Sequence, residues 1–115
     1  MINETPTEQS ESEAFSTWLT MKGLRHHHGN DNMYTKSWGQ KRKMKSAGFS
    51  KGYPDFTIVV QHRGLVFVEM KRVKGGVTSQ YQKDWIDALN GLGGVEARVC
   101  KGSEDAINFI SEIIG

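Results

Sequence analysis

Residues 54–71 read Pro54-Asp55-Phe56-Thr57-Ile58-Val59-Val60-Gln61-His62-Arg63-Gly64-Leu65-Val66-Phe67-Val68-Glu69-Met70-Lys71. Two β-favouring runs flank a polar break at residues 61–64, which is the pattern of a β-hairpin. Side chains alternate across a strand, so Phe56, Ile58, Val60, Val66, Val68 and Met70 fall on one wholly apolar face. Asp55, Thr57, Phe67, Glu69 and Lys71 fall on the other. A turn centred on His62 sets Asp55 directly opposite Glu69, with Cβ atoms about 5 Å apart. One residue more or less in the turn would slip that register. The centred register is adopted because it alone joins the two carboxylates, which is an argument from function rather than from turn chemistry.

Working outward, residues 7–22 are expected to form a helix. Phe15, Trp18, Leu19 and Lys22 follow helical spacing, and Thr7 or Ser10 can cap its start. The same face continued backwards reaches Glu11 and Glu8, while Glu13 points away. Gly23 ends the helix, and residues 24–28 allow a short strand before the polar loop Gly29-Asn30-Asp31-Asn32. A cation-rich helix is expected over residues 35–47. After the hairpin, Thr78 or Ser79 caps a helix to about Leu89, with Gln82, Trp85, Ile86, Leu89 and Leu92 on one stripe. A strand over residues 95–100 and an amphipathic helix over residues 103–114, buried through Ala106, Phe109, Ile110 and Ile113, complete the order α-β-α-β-β-α-β-α. The expected fold class is α/β, or mixed α+β, with a central mixed sheet flanked by helices.

The chain has 115 residues, a length suited to one domain (1–115), with about residues 1–6 expected to be a flexible N-terminus. No apolar run approaches a bilayer span, residues 1–12 lack the regions of a signal peptide, and the one cysteine, Cys100, excludes an intrachain disulfide. The cytoplasm, bacterial or of a phage-infected host, is the expected location. Formal net charge is only +2, but between Ala14 and Lys74 twelve Lys and Arg residues face three acids. That balance suits a polyanion. Lys36, Lys41, Arg42, Lys43, Lys45, Lys51, Arg72 and Lys74 are the candidate phosphate contacts. The three acids in this basic stretch are Asp31, Asp55 and Glu69, and holding a metal is a reason for carboxylates to sit there.

Gly52-Tyr53-Pro54-Asp55 followed by Val68-Glu69-Met70-Lys71 resembles the P-D…E-x-K signature of PD-(D/E)xK nucleases with a restriction-endonuclease-like core. The chain most resembles the virus-type replication-repair nuclease (VRR-NUC) family, including its stand-alone phage and bacterial members. The likeness runs through residues 45–56, then Phe67-Val68-Glu69-Met70-Lys71-Arg72, then Ser79-Gln80-Tyr81-Gln82-Lys83-Asp84-Trp85-Ile86. The resemblance implies that Asp55 and Glu69 bind a metal with the Met70 backbone carbonyl, that Lys71 assists catalysis, and that Gln82 supports the site. Glu8 matches the family's first-helix glutamate by its distance from Phe15 and Trp18, with Glu11 as the fallback. The resemblance also implies an endonuclease acting on four-way (Holliday) junctions or other branched DNA, as a homodimer.

The residue types suit that chemistry in their own right. Phosphodiester hydrolysis needs a hard Lewis acid and a hydroxide, and Mg²⁺ or Mn²⁺ held by one or two carboxylates supplies both. A lysine two residues beyond Glu69 on the same face can hold the attacking water or offset charge on the pentacovalent phosphate. Two other readings stay open: a non-catalytic DNA-binding subunit with this fold, and a sequence-specific restriction-type enzyme. His26-His27-His28 is read as a solvent or DNA contact rather than a zinc site, because adjacent histidines cannot all face one ion. Tyr34, Trp38 and Tyr53 are read as core or dimer contacts.

Overall fold

The computed structural model describes residues 5–29 and 50–115. The expected helix over residues 35–47, with Lys36, Lys41, Arg42, Lys43 and Lys45, lies outside them, as does most of the expected flexible N-terminus. The described elements are α1 (Glu8–Met21), β1 (His26–His28), β2 (Phe56–Val60), β3 (Gly64–Lys71), α2 (Gln80–Asn90), β4 (Val95–Lys101) and α3 (Ser103–Ile114). The strands form one mixed sheet in the order β1-β2-β3-β4. The pairs β1–β2 and β2–β3 are antiparallel, and β3–β4 is parallel, joined through α2.

The hairpin has the centred register: Phe56 pairs with Val68 and Val60 with Gly64, leaving a turn around His62, whose φ is 68°. Histidine is among the non-glycine side chains that visit this left-handed region more readily. Alternation along the strands then builds two cores. Phe56, Ile58, Val60, Val66, Val68, Met70 and Cys100 pack beneath Phe15 and Leu19 of α1 and Ala106, Phe109 and Ile110 of α3. On the opposite face Phe67 and Ala97 pack with Leu89 of α2, supported by Tyr53, Trp85 and Ile86. Leu92 departs from expectation. It is 58% exposed, because α2 ends at Asn90 with Gly91 as its cap and the chain leaves the helical stripe before reaching it.

Helix ends explain how the layers are fixed. Thr7 accepts the Ser10 N–H at 3.0 Å to start α1, and Ser79 starts α2 through a reciprocal capping box with Gln82. The N-cap of α3 is Gly102, which offers no side chain. Glu11 of α1 takes that place: it is buried, and its Oε1 accepts the Ser103 hydroxyl at 3.1 Å. An acid at a helix N-terminus is favoured by the unpaired N–H groups and the helix dipole. Glu11→Ala is therefore expected to cost about 1–2 kcal/mol, read as a lower melting temperature, whereas the exposed Glu13→Ala should leave it unchanged.

Candidate active site

The hairpin register continued by one residue sets Asp55 opposite Glu69, and both carboxylates are buried, at 8% and 2% exposure. Asp55 is fixed from two sides. Its Oδ2 accepts the Met70 N–H at 2.9 Å, and its carbonyl accepts the Gly29 N–H at 2.7 Å just beyond β1. The Met70 side chain is buried in the larger core. Glu8, the first residue of α1, brings a third acid to the pair. One carboxylate oxygen each from Glu8, Asp55 and Glu69 lie within 4.8 Å of one another. Glu11, one turn further along α1, is instead committed to Ser103, so the structure brings Glu8 to the pair and sends its alternative elsewhere.

The two oxygens of Glu69 have different surroundings. Oε2 accepts the Gln82 amide at 2.8 Å and faces the Lys71 ammonium at 3.3 Å. Oε1 is buried with no hydrogen-bond partner. Burial, reinforced by the charge of Asp55, pushes the Glu69 carboxyl up to about 8; Lys71 opposes the shift and Glu8 adds to it. Lys71 is itself buried. Three carboxylates, one with a buried oxygen that lacks a hydrogen-bond partner, form a donor set that fits a hard divalent cation, which takes carboxylate and carbonyl oxygens. Such a cation would give Oε1 the partner it lacks and reverse the burial cost of ionising Glu69.

Gln82 joins the site to its scaffold. Its Oε1 accepts the Ser79 N–H at 2.9 Å while its Nε2 donates to Glu69, so one amide completes a helix cap and orients a site carboxylate. Ser79-Gln80-Tyr81-Gln82 is a legible capping-box pattern, and that signal locates the residue independently of any family likeness. Gly52 supports the same turn from outside, with φ +88° and the backbone of Tyr81 and Gln82 packed directly against it.

The described candidate phosphate contacts, Lys51, Arg72 and Lys74, are exposed. Arg72 also reaches the Thr5 carbonyl at 3.5 Å. Tyr53 packs edge-on against Phe67 and Trp85, in the smaller core. His26 bridges Ser16 and the Leu24 carbonyl, and His28 stacks on Phe56 at 4.3 Å. Burial, with the neighbouring His27 and His26, lowers the His28 pKa.

A family model, the VRR-NUC domain, matches residues 4–104. The chain belongs to the VRR-NUC family. A solved structure titled "VRR_NUC domain protein" superposes with a TM-score of 0.77 at 23% identity, covering 97% of this chain and 91% of that one. At that identity the likeness concerns the fold. No curated protein matches the sequence. The VRR-NUC domain is a nuclease domain of the PD-(D/E)xK type, and such a domain implies DNA as a substrate. Among the described residues no helix is long and apolar enough to cross a membrane.

Proposed function

We propose that this VRR-NUC domain is a Mg²⁺- or Mn²⁺-dependent endodeoxyribonuclease of the cytoplasm that cuts branched DNA, including four-way junctions, as a homodimer of single-domain chains. The observation that carries the catalytic part is the cluster of half-buried Glu8 with buried Asp55 and Glu69, with Lys71 against one Glu69 oxygen and the other oxygen unpartnered. Asp55, Glu69 and the Met70 carbonyl would hold the ion, with Glu8 beside them. The ion supplies Lewis acidity to a phosphate oxygen and lowers the pKa of water.

The chain's own groups account for the rest. Lys71 presents an ammonium beside the carboxylates, where it can hold the attacking water or offset charge gathering on the phosphate. Gln82 holds Glu69 Oε2 and so fixes the orientation of that carboxylate. Water adds to phosphorus, the bond to one ester oxygen breaks, and the leaving oxygen takes up a proton. Lys51, Arg72 and Lys74, with the cations of residues 36–45, would neutralise backbone phosphates without reading sequence. That favours recognition of DNA shape, and a two-fold junction calls for two sites in one assembly.

Cleavage of labelled four-way junction, flap and continuous duplex in Mg²⁺ or Mn²⁺ tests the proposal. Wild type is expected to cut branched DNA, with Glu69→Ala and Lys71→Ala each lowering the rate at least about 100-fold. Pure, folded wild type that binds these DNAs but cuts none would leave the binding-subunit reading. Discrete fragments from a long linear duplex would favour the restriction-type one.

Ion binding should also be proton-coupled. With the Glu69 carboxyl near 8 in the ion-free protein, loading at pH 6–7 must expel its proton. Calorimetry in buffers of different ionisation enthalpy is expected to show close to one proton released per ion at pH 6. Affinity should rise with pH and level off above about 8.

A further inference from the structure

Seven large apolar side chains are exposed among the described residues, and three of them, Val73, Val77 and Tyr81, fall between the end of β3 at Lys71 and the second residue of α2. The same stretch begins beside Arg72 and contains Lys74, both exposed. Tyr81 is 60% exposed, and the Lys51 ammonium lies over its ring, 5.7 Å from the centroid. An exposed cation–π pair contributes little to a fold, so stability does not account for this one.

Its position relative to the acids is informative. Tyr81 immediately precedes Gln82, whose amide holds Glu69, and the Gly52 backbone packs against Tyr81 and Gln82. The ring is therefore carried by the turn that orients a site carboxylate, and the ammonium by the residue next to Gly52, which packs against that turn. A continuous duplex offers such a rim phosphates and sugars, which Lys51, Arg72 and Lys74 suit, but no flat apolar face for an aromatic ring. A base that has left its stack offers that face together with a phosphate one bond series away. Aromatic rings take up unstacked bases without regard to sequence.

We propose that Tyr81 is the stacking platform for one unpaired or unstacked nucleobase flanking the scissile phosphate, with Lys51 holding the phosphate attached to it. The proposal rests on the nuclease reading of the site and adds to it the residue that would distinguish interrupted DNA from continuous duplex. Tyr81 touches the substrate away from the reacting atoms, so its loss weakens binding of one class of DNA rather than the chemistry itself.

Binding without the ion separates this from the nuclease reading. In EDTA, anisotropy titrations would compare a labelled duplex carrying a three-nucleotide gap with the continuous duplex of the same sequence, for wild type, Tyr81→Ala, Tyr81→Phe and Lys51→Ala. Tyr81→Ala is expected to lose about tenfold in affinity for gapped DNA while binding continuous duplex within twofold of wild type. Tyr81→Phe should match wild type on both, and Lys51→Ala should weaken both with a shallower salt dependence. Equal losses on both DNAs, or no loss on either, would overturn the proposal. So would conversion of a dimer to monomer by Tyr81→Ala in sedimentation, which would assign the ring to a contact between copies of the chain. Absence of cleavage by wild type leaves these binding outcomes unaffected and counts against the nuclease reading alone.

Discussion

Glu69→Gln is expected to melt about 5–10 °C above wild type at pH 8 in EDTA, yet to show no ion-dependent cleavage. The gain follows from Glu69 being 2% exposed, beside two other acids, with one oxygen unsatisfied. In the variant the amide oxygen keeps the donors from Gln82 and Lys71, and the NH₂ group takes the place of the unpartnered oxygen. Loss of the ion pair with Lys71 offsets part of that gain. An unsatisfied buried group costs about 1–3 kcal/mol, and about 1 kcal/mol moves the melting temperature of a domain this size by 4–8 °C.

The pH dependence of that gain has a definite sign. The folded carboxyl titrates near 8, against 4.5 for the ordinary group. Below 4.5 both folded and unfolded chains hold the proton, and the variant has little advantage. Between 4.5 and 8 the unfolded chain ionises first, so wild-type stability falls as pH rises, and above 8 the loss is complete. The difference in melting temperature should thus be small near pH 4.5 and widest above pH 8. A variant that melts below wild type at pH 8 would show that burial is not what raises Glu69.

Gly52→Ala is expected to lose both stability and activity although residue 52 carries no chemistry. A Cβ there would sit 2.5 Å from the Tyr81 carbonyl carbon and 2.7 Å from the Gln82 nitrogen. Both are backbone, so no side chain can swing aside and the first turn of α2 must move. The φ of +88° adds strain, for a combined cost of about 2–4 kcal/mol. Displacing that turn carries Gln82 away from Glu69, and a misplacement on the order of 1 Å lowers cleavage about 100-fold. Gly75→Ala is the matched control, since Gly75 has φ +79° with nothing within 4 Å of the added carbon. It should cost only the backbone strain, about 1–2 kcal/mol, and leave the cleavage rate of folded protein near wild type.

The hairpin was legible because strand alternation has a period of two, whereas the facing of Asp55 and Glu69 was reached only by choosing the turn length that joins the two acids. The order of the described elements followed from equally local signals: Ser79 before α2, the glycines after it, and the regular stripe of α3. The choice between Glu8 and Glu11 was not legible from spacing, because a helix puts residues three apart on the same face. What separates them is the start of α3, 92 residues later in the chain, which claims Glu11 through Ser103. Leu92 was misread for the opposite reason: its spacing fits the stripe, but the helix has ended before it. The pairing of Lys51 with Tyr81 left no periodic trace, since it depends on how Gly52 lets two distant segments touch.

The brace between α1 and α3 also sets an order of events. Synthesis delivers Glu8 and Glu11 first, the hairpin with Asp55, Glu69 and Lys71 next, and Ser103 last among these parts. Until Ser103 and the helix it opens have docked, Glu11 has no partner to pin the turn that presents Glu8. The Gly102 N–H, which donates to the Lys71 carbonyl at 2.9 Å, is missing as well. A growing chain therefore carries its acids and its lysine before the closing helix that braces them.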